Sequence, residues 1–267
     1  MHAKRTARKQ GVKVKLTSRD VAILRTLREM KFLQTRQLAQ LCFGRLNSTV
    51  RLRLRRLYDG GFIKAWMPRL NLSEENVWTI DRKGLLVLDD GTIDGSAPRR
   101  LHRRLQHLLY INDVRIALSL AVSAAGGEVI GWKSDWQLKR PGERNLVPDG
   151  LFALRLGQHE LPFALEVDLG GEPATTVFAE KLRSYRSRPE ILLIVVPTVR
   201  RLAALLDVAA KEPGASEFLF TLQEKTTPTS ILGPIWTSPR LALAEITTAT
   251  FISLLNLFEL EGRGRNG

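Results

Sequence analysis

The first ninety residues place apolar side chains mainly at helical spacing. They recur every three or four positions behind Thr17 or Ser18, either of which can cap a helix. The predicted helices begin near residues 17, 35 and 47, the predicted strands cover 62–67 and 76–81, and a short helix over 81–90 closes the region. Three short helices followed by two strands and a joining loop predict a winged helix-turn-helix.

The rest of the chain alternates helical and β-type segments. The predicted elements are a long helix over 100–125, a strand over 128–132, a hairpin around Gly157-Gln158, helices over 173–186 and 198–214, and strands over 191–197 and 217–224. This order predicts an α/β domain in which helices cover a mixed sheet. Residues 226–267 are less regular, and their pattern predicts strand fragments and a final helix over 241–260.

Composition shifts divide the chain into four segments. Residues 1–16 form a basic tail that we expect to be mobile until it is bound, and residues 17–90 form the predicted winged helix. Residues 91–99 are rich in Gly, Pro and Ser, as linkers are, and residues 100–267 form the predicted α/β domain.

The hairpin brings two acidic residues together. The segments on both sides of Gly157-Gln158 are β-type apolar runs, and pairing them across a two-residue turn places Asp149 opposite Glu166. Directly opposed residues lie about 4.5–5.5 Å apart, and two carboxylates at that distance repel each other. A divalent metal ion between them or protonation of one of them would relieve the repulsion. The alternative is a pair of strand-end acids that point into water.

Positive charge is confined to the N-terminal part of the chain. Residues 1–104 hold 24 Lys and Arg against 9 Asp and Glu, whereas residues 105–267 hold 17 against 18. Such an excess indicates a polyanionic partner, either nucleic acid or an anionic membrane surface. The sequence has neither an apolar run long enough to span a bilayer nor a secretory signal, so we expect a cytoplasmic protein without membrane contact. The single cysteine, Cys42, excludes an internal disulfide and a cysteine-based zinc site.

The third predicted helix has the two faces of a recognition helix. Its apolar stripe consists of Leu46, Val50, Leu54 and Leu57. The opposite side carries Arg45, Ser48, Arg51, Arg55 and Arg56, with Arg53 at its edge and Leu52 among them. Together with Lys64 on the following strand, these residues predict a surface for double-stranded DNA, since arginine binds phosphates and guanine edges. The alternative is a basic face that only contacts solvent.

The α/β segment resembles the PD-(D/E)XK restriction-endonuclease-like fold. A helix precedes strands that carry Pro148-Asp149 and then Glu166, and another helix follows. Asp149 matches the first acid and Glu166 the second, but Asp168 stands where the fold has a lysine. Lys181 on the next helix matches a migrated lysine, which that superfamily tolerates.

Several short motifs occur together in this chain, namely residues 107–118, 148–150 and 166–170 together with Lys181 and Tyr185. With these motifs the chain as a whole resembles, over roughly residues 15–200, the replication-relaxation family of plasmid and integrated-element proteins. The resemblance implies DNA binding and a role in the replication, relaxation or mobilisation of a mobile element. Implied partners are double-stranded DNA, other replication or mobilisation proteins and a second copy of the chain in a homodimer.

The resemblance also implies roles at a nuclease-like site. Asp149 and Glu166 would bind Mg²⁺ or Mn²⁺, and Lys181 would orient the attacking water or offset developing charge. Asp168 would be an additional ligand or a sign of lost activity. Three functions remain open: a DNA-binding protein with an inactive nuclease-like domain, a metal-dependent DNA endonuclease or nickase, and a winged-helix transcriptional regulator. The absence of a lysine two residues after Glu166 favours binding over cleavage.

Overall fold

The computed structural model describes residues 8–9, 12–66, 75–88, 105–139, 147–170, 176–212, 218–239 and 252–258. The chain divides into two compact units, residues 1–116 and 117–267. The predicted linker over 91–99 lies outside the described residues, so the predicted domain bounds stay a prediction.

The N-terminal unit combines short helices with a small antiparallel sheet. Its elements are α1 (Ser18–Met30), β1 (Leu33–Gln34), α2 (Thr35–Phe43), α3 (Ser48–Asp59), β2 (Ile63–Trp66), β3 (Val77–Ile80) and α4 (Arg82–Val87). The three strands lie in the order β1-β3-β2. The predicted helices and strands are confirmed within one or two residues, except that α4 ends three residues earlier than predicted. Strand β1 was not predicted, because two residues are too few to show alternation.

The start of α1 shows how local chemistry fixes this unit. The Thr17 side chain accepts from the Asp20 N–H, and Asp20 accepts in return from the Thr17 N–H at 2.6 Å. This reciprocal capping box satisfies two backbone donors that the first turn of a helix leaves unpaired. Ile23, Leu24 and Leu27 then face the core and are fully buried.

Part of the basic tail is attached to the folded unit. The Arg8 guanidinium donates to the Ile63 carbonyl at 2.9 Å and to Asp81 at 2.6 Å. The Lys9 N–H donates to Asp59 at 3.0 Å, and the Lys15 carbonyl accepts from a side chain of α3. The expectation of a tail that is mobile until bound is therefore wrong for these described residues, because carboxylates and carbonyls of the unit already bind them.

The C-terminal unit is an α/β structure around a mixed sheet of five strands. Its elements, starting with the helix that contains the division between the units, are α5 (Leu105–Ala124), β4 (Glu128–Ser134), α6 (Asp135–Leu138), β5 (Gly150–Leu156), β6 (His159–Val167), α7 (Thr176–Tyr185), β7 (Ile191–Val196), α8 (Val199–Ala210) and β8 (Phe218–Leu222). The strand order is β4-β5-β6-β7-β8. The first three strands pair antiparallel and the last three parallel. The predicted mixed α/β sheet is confirmed; α6 was not predicted.

Helices α7 and α8 pack on the parallel half of this sheet. Phe178 and Leu182 of α7 and Leu205 of α8 join buried strand residues such as Ile194 and Phe220 in one hydrophobic cluster. Parallel strands that helices cover are nearly continuously apolar, and β7 reads ILLIVV for that reason. This cluster fixes α7 beside the end of β6, where the acidic residues lie.

The last described segments are short. β9 (Pro234–Trp236) pairs antiparallel with β10 (Ile252–Ser253), and a helical turn follows over 254–258. A continuous final helix over 241–260 is therefore wrong at β10, whose two residues pair with β9 instead. Among the residues with described structure, no helix is long and apolar enough to cross a bilayer.

Candidate functional site

The hairpin of β5 and β6 has the predicted turn and register. Gly150 pairs with Leu165 and Leu156 with His159 around the Gly157-Gln158 turn. Asp149 directly precedes β5, and its N–H donates to the Leu165 carbonyl at 3.0 Å. The Asp149 side chain accepts from the Val167 N–H at 2.9 Å. Its carboxylate is thereby fixed beside the end of β6, next to the position of Glu166.

Glu166 lies at the centre of a buried polar network. Its side chain comes from β6, and only 4% of the residue is exposed. The Tyr185 hydroxyl donates to one carboxylate oxygen at 2.7 Å, and the Lys181 ammonium donates to the other at 2.5 Å. Lys181 and Tyr185 are four residues apart on α7, so one face of that helix supplies both donors. The structure thus brings Asp149, Glu166 and Lys181 to one end of β6, as the sequence predicted.

Burial and charge shift the ionisation of this network. Burial raises the pKa of Glu166 to about 7; Lys181 opposes the shift, and the nearby charge of Asp149 adds to it. Burial alone would lower the pKa of Lys181, but the carboxylates of Glu166, Asp149 and Asp168 raise it overall. Burial also raises the pKa of Tyr185, so this hydroxyl remains a hydrogen-bond donor to Glu166. Lys181 therefore carries a charge that neutralises the site, whereas Glu166 titrates near neutral pH.

Asp168 pairs with a cation that the sequence analysis did not single out. The Arg201 guanidinium, from the first turns of α8, donates to Asp168 at 2.6 and 3.3 Å. The Gly170 N–H also donates to Asp168, at 2.5 Å. At the position where the nuclease-like pattern has a lysine, this chain holds an acid and brings an arginine from another helix. No local motif marks Arg201, because its partner lies 33 residues away in sequence.

Most carboxylate oxygens at this site already accept hydrogen bonds. Both Glu166 oxygens accept from α7, both Asp168 oxygens accept from Arg201 or Gly170, and one Asp149 oxygen accepts from the backbone. An ionised carboxylate oxygen has a second lone pair, so the binding of Mg²⁺ or Mn²⁺ here stays a prediction. Within the described ranges, no group of three or more His, Cys, Asp or Glu side chains could hold a metal.

Gly150 allows Trp132 to pack beside the site. A Cβ atom on Gly150 would lie 2.6 Å from the Trp132 ring, which stacks on Phe152 with a centroid distance of 4.6 Å. We expect Gly150→Ala to lower the free energy of unfolding by about 1–3 kcal/mol, because overpacking forces the ring aside. Urea denaturation measures this cost. In a Trp132→Leu background the same change should cost clearly less, and an equal cost in both backgrounds would contradict this explanation.

In the N-terminal unit, α3 has one buried and one exposed face. Asn47 caps the helix by accepting from the Val50 N–H at 3.1 Å. Val50, Leu54 and Leu57 are fully buried. Leu46 is 43% exposed and precedes the helix, so its predicted place in the apolar stripe is wrong. The apolar stripe begins inside the helix, at Val50, because the helix itself begins only after its N-cap Asn47.

The outer face of α3 consists of Ser48, Arg51, Leu52, Arg55 and Arg56. Ser48, Arg51, Leu52 and Arg56 are exposed, as is Arg45 just before the helix. Arg55 is half-buried and pairs with Asp59 at 2.9 Å one turn later. Arginine side chains therefore lie on both sides of the middle of this face. The buried residues that pack α3 against the rest of the unit lie on the opposite face.

Besides Arg55, two more of the predicted DNA-contacting residues are bound within the unit. The Arg53 guanidinium makes two hydrogen bonds to the fully buried Asp20, one of them at 2.6 Å, and a third to the Lys15 carbonyl at 3.0 Å. Lys64 lies 3.2 Å from Asp81. Because the buried Asp20 carboxylate requires a cation, Arg53 binds it and so joins α3 to α1. This differs from its predicted place among the DNA-contacting residues.

Comparison with known proteins gives one family. A family model described as replication-relaxation matches residues 24–188, which is more than half of the chain. No curated protein and no solved structure gives a significant match. The matched region includes α3 and the whole network around Glu166.

Proposed function

Because this chain belongs to the replication-relaxation family, we propose that it binds double-stranded DNA in the replication, relaxation or mobilisation of a plasmid or other mobile element. The family membership itself suggests a role in replication or relaxation. The observation that carries the DNA-binding proposal is the outer face of α3, where exposed arginines lie opposite a fully buried apolar face.

The fold around α3 supports the same proposal. The element order α1, β1, α2, α3, β2, β3, with β3 between the other two strands, is what a winged helix requires. In helix-turn-helix proteins, the second helix of the motif enters the major groove and its exposed side chains reach bases and phosphates. We assign that part to α3. Its exposed cations in the described region are Arg51 and Arg56, and Arg45 is exposed just before the helix.

Removing these three cations together tests the proposal. We expect the triple variant Arg45→Ala, Arg51→Ala, Arg56→Ala to bind duplex DNA about 100-fold more weakly near 0.15 M salt. The slope of log affinity against log salt should become about 3 units shallower, because each phosphate contact contributes nearly one unit. Filter binding of a short duplex over a range of salt concentrations measures both quantities.

A charge-matched variant is the control. Arg25, Lys133 and Arg200 are also exposed, and replacing all three with alanine removes the same net charge from other surfaces. This variant should keep most of the affinity and the salt slope. If both triple variants lose affinity equally, the basic protein binds DNA through its general charge, and α3 is not the contact surface.

For the C-terminal unit, we propose a restriction-endonuclease-like domain that does not cleave. An antiparallel hairpin that continues into parallel strands under α7 and α8 supports the fold. The polar network supports the lack of cleavage, because Lys181 and Tyr185 occupy both oxygens of Glu166. A buried, fully hydrogen-bonded network of this kind holds α7 on the sheet.

Metal-dependent cleavage is the second candidate, favoured by the meeting of Asp149, Glu166 and Lys181 at one point. A plasmid-nicking assay with Mg²⁺ or Mn²⁺ separates the two. We expect no nicking by the wild-type protein. Nicking that depends on the metal and disappears in Asp149→Ala would overturn the proposal of an inactive domain and establish the endonuclease.

A transcriptional regulator would use the same DNA-binding unit. Footprinting across the host element separates these roles, since a regulator would protect only promoter sequences. Protection at a replication or transfer origin is the result expected from the family. Binding of other replication or mobilisation proteins and formation of a homodimer are further proposals that follow from the family alone.

A further inference from the structure

An exposed leucine lies at the centre of the cationic face of α3. Leu52 is 64% exposed, the highest value among the large apolar residues described in the N-terminal unit. Ser48 and Arg56 lie one turn before and after it on the same face, and Arg51 and Arg55 flank it. A single exposed leucine is ordinary on a protein surface. Its position inside a ring of arginines is the feature that requires an explanation.

We infer that Leu52 selects DNA sequence by packing against the C5-methyl group of thymine in the major groove. This inference rests on the proposed DNA binding through α3. Arginines that contact phosphates on both sides would hold the middle of the helix against the base edges. Phosphate contacts carry no sequence information, so the residue in the middle of the helix is the one that can read the bases. The thymine methyl is the apolar group that the major groove offers, and aliphatic side chains recognise it by contact.

Charge complementarity excludes most other occupants of this face. An apolar protein partner would bury the flanking arginines without compensating charge, which is costly. A duplex supplies phosphates for the arginines and a methyl group for the leucine at the same time. A second copy of this chain is disfavoured for the same reason, because a symmetric contact through this face would bring its arginines against the same arginines.

Thymine-to-uracil replacement tests the inference, because uracil lacks only the methyl group. A duplex that the wild-type protein selects from a random-sequence pool is synthesised with thymine and again with deoxyuridine throughout. We expect the wild type to bind the uracil duplex about fourfold more weakly for each thymine methyl group that packs against Leu52. Leu52→Ala should bind the two duplexes equally, and it should bind the thymine duplex as weakly as the wild type binds the uracil duplex.

Leu86→Ala is the matched control. Leu86 is 63% exposed on α4 and also follows two cations, Arg82 and Lys83, by one turn. This variant should keep the full preference for thymine. Thermal denaturation of both variants checks that they fold, which is expected of changes at such exposed positions.

The outcomes separate this inference from the proposed function. Equal binding of both duplexes by the wild type overturns the role of Leu52 and leaves DNA binding intact. A wild-type protein that binds all duplexes equally well overturns only the role of Leu52, whereas one that binds no duplex overturns both. If sedimentation without DNA shows a dimer that Leu52→Ala converts to a monomer, the leucine serves a protein contact and the inference is wrong.

Discussion

Lys181→Met is expected to lower the free energy of unfolding by about 3–5 kcal/mol at pH 8 and by much less near pH 5. The variant keeps most of the apolar stem of the side chain but removes the ammonium that neutralises Glu166. Only 5% of the Glu166 side chain is exposed, so water cannot replace the missing charge. A buried carboxylate without a cation is among the most destabilising defects that a single substitution can create.

The pH dependence follows from the direction of the Glu166 shift. Its pKa in the folded protein is about 7, above its ordinary value of 4.5. A pKa that is raised on folding stabilises the folded protein at pH values below the ordinary pKa of 4.5. This contribution to the free energy of unfolding is lost as the pH rises through 7. Without Lys181 the folded pKa rises further, because the ammonium lowers it in the wild type. The variant therefore protonates Glu166 at little cost at pH 5. At pH 8 it must either keep a proton that the unfolded chain has lost or bury the charge, and both lower the free energy of unfolding.

Urea denaturation of the full chain at both pH values, followed by tryptophan fluorescence, measures this effect. Adding Glu166→Gln to Lys181→Met should remove the difference between the two pH values, since no titrating group remains at that position. Lys211→Met is the matched control, because Lys211 forms an exposed pair with Asp207 at 2.7 Å. Such surface pairs contribute little to stability. An equal loss at pH 5 and pH 8 would show that Lys181 acts only by packing.

The sequence was sufficient to predict this network where local patterns determine the structure. The register of β5 and β6 follows from the two-residue turn at Gly157-Gln158, which pairs Gly150 with Leu165 and so places Asp149 beside the end of β6. Lys181 and Tyr185 are four residues apart, so a helix necessarily points them in one direction. Phe178 and Leu182 of the same helix pack on the sheet and fix the helix there.

Partners that are distant in sequence were not predictable. Arg201 meets Asp168, and Arg53 meets Asp20, each across 33 residues and between elements whose relative position no local pattern states. Helical periodicity places Arg53 at the edge of the cationic face. A side chain at that edge can either point into solvent or contact a neighbouring helix. The buried acid on α1 decides between them, and only the packing of α1 against α3 shows that the acid is buried.

Arg53→Met is expected to lower the free energy of unfolding by about 3–5 kcal/mol at neutral pH, because it leaves Asp20 buried without its cation. Burial alone would raise the pKa of Asp20, but hydrogen bonds from Arg53 and Thr17 lower it overall. A lowered pKa stabilises the fold above the ordinary value of 3.8 and loses that contribution as the pH falls below it. The difference in free energy of unfolding between wild type and variant should therefore shrink in acid, where Asp20 is protonated and needs no cation.

Arg51→Met is the matched variant for this prediction, since Arg51 lies two residues earlier on the same helix and is exposed. Urea denaturation should show almost no change for Arg51→Met, whereas duplex binding at low salt should weaken and its salt slope should fall by about one unit. Arg53→Met should have the opposite effects. Its free energy of unfolding should fall, whereas the folded variant should show the same slope of log affinity against log salt as the wild type. The two residues thus separate the arginine that holds α3 in place from an arginine that α3 presents to DNA. If Arg53→Met also lowers the salt slope under conditions where it is fully folded, Arg53 contacts phosphate in addition to Asp20.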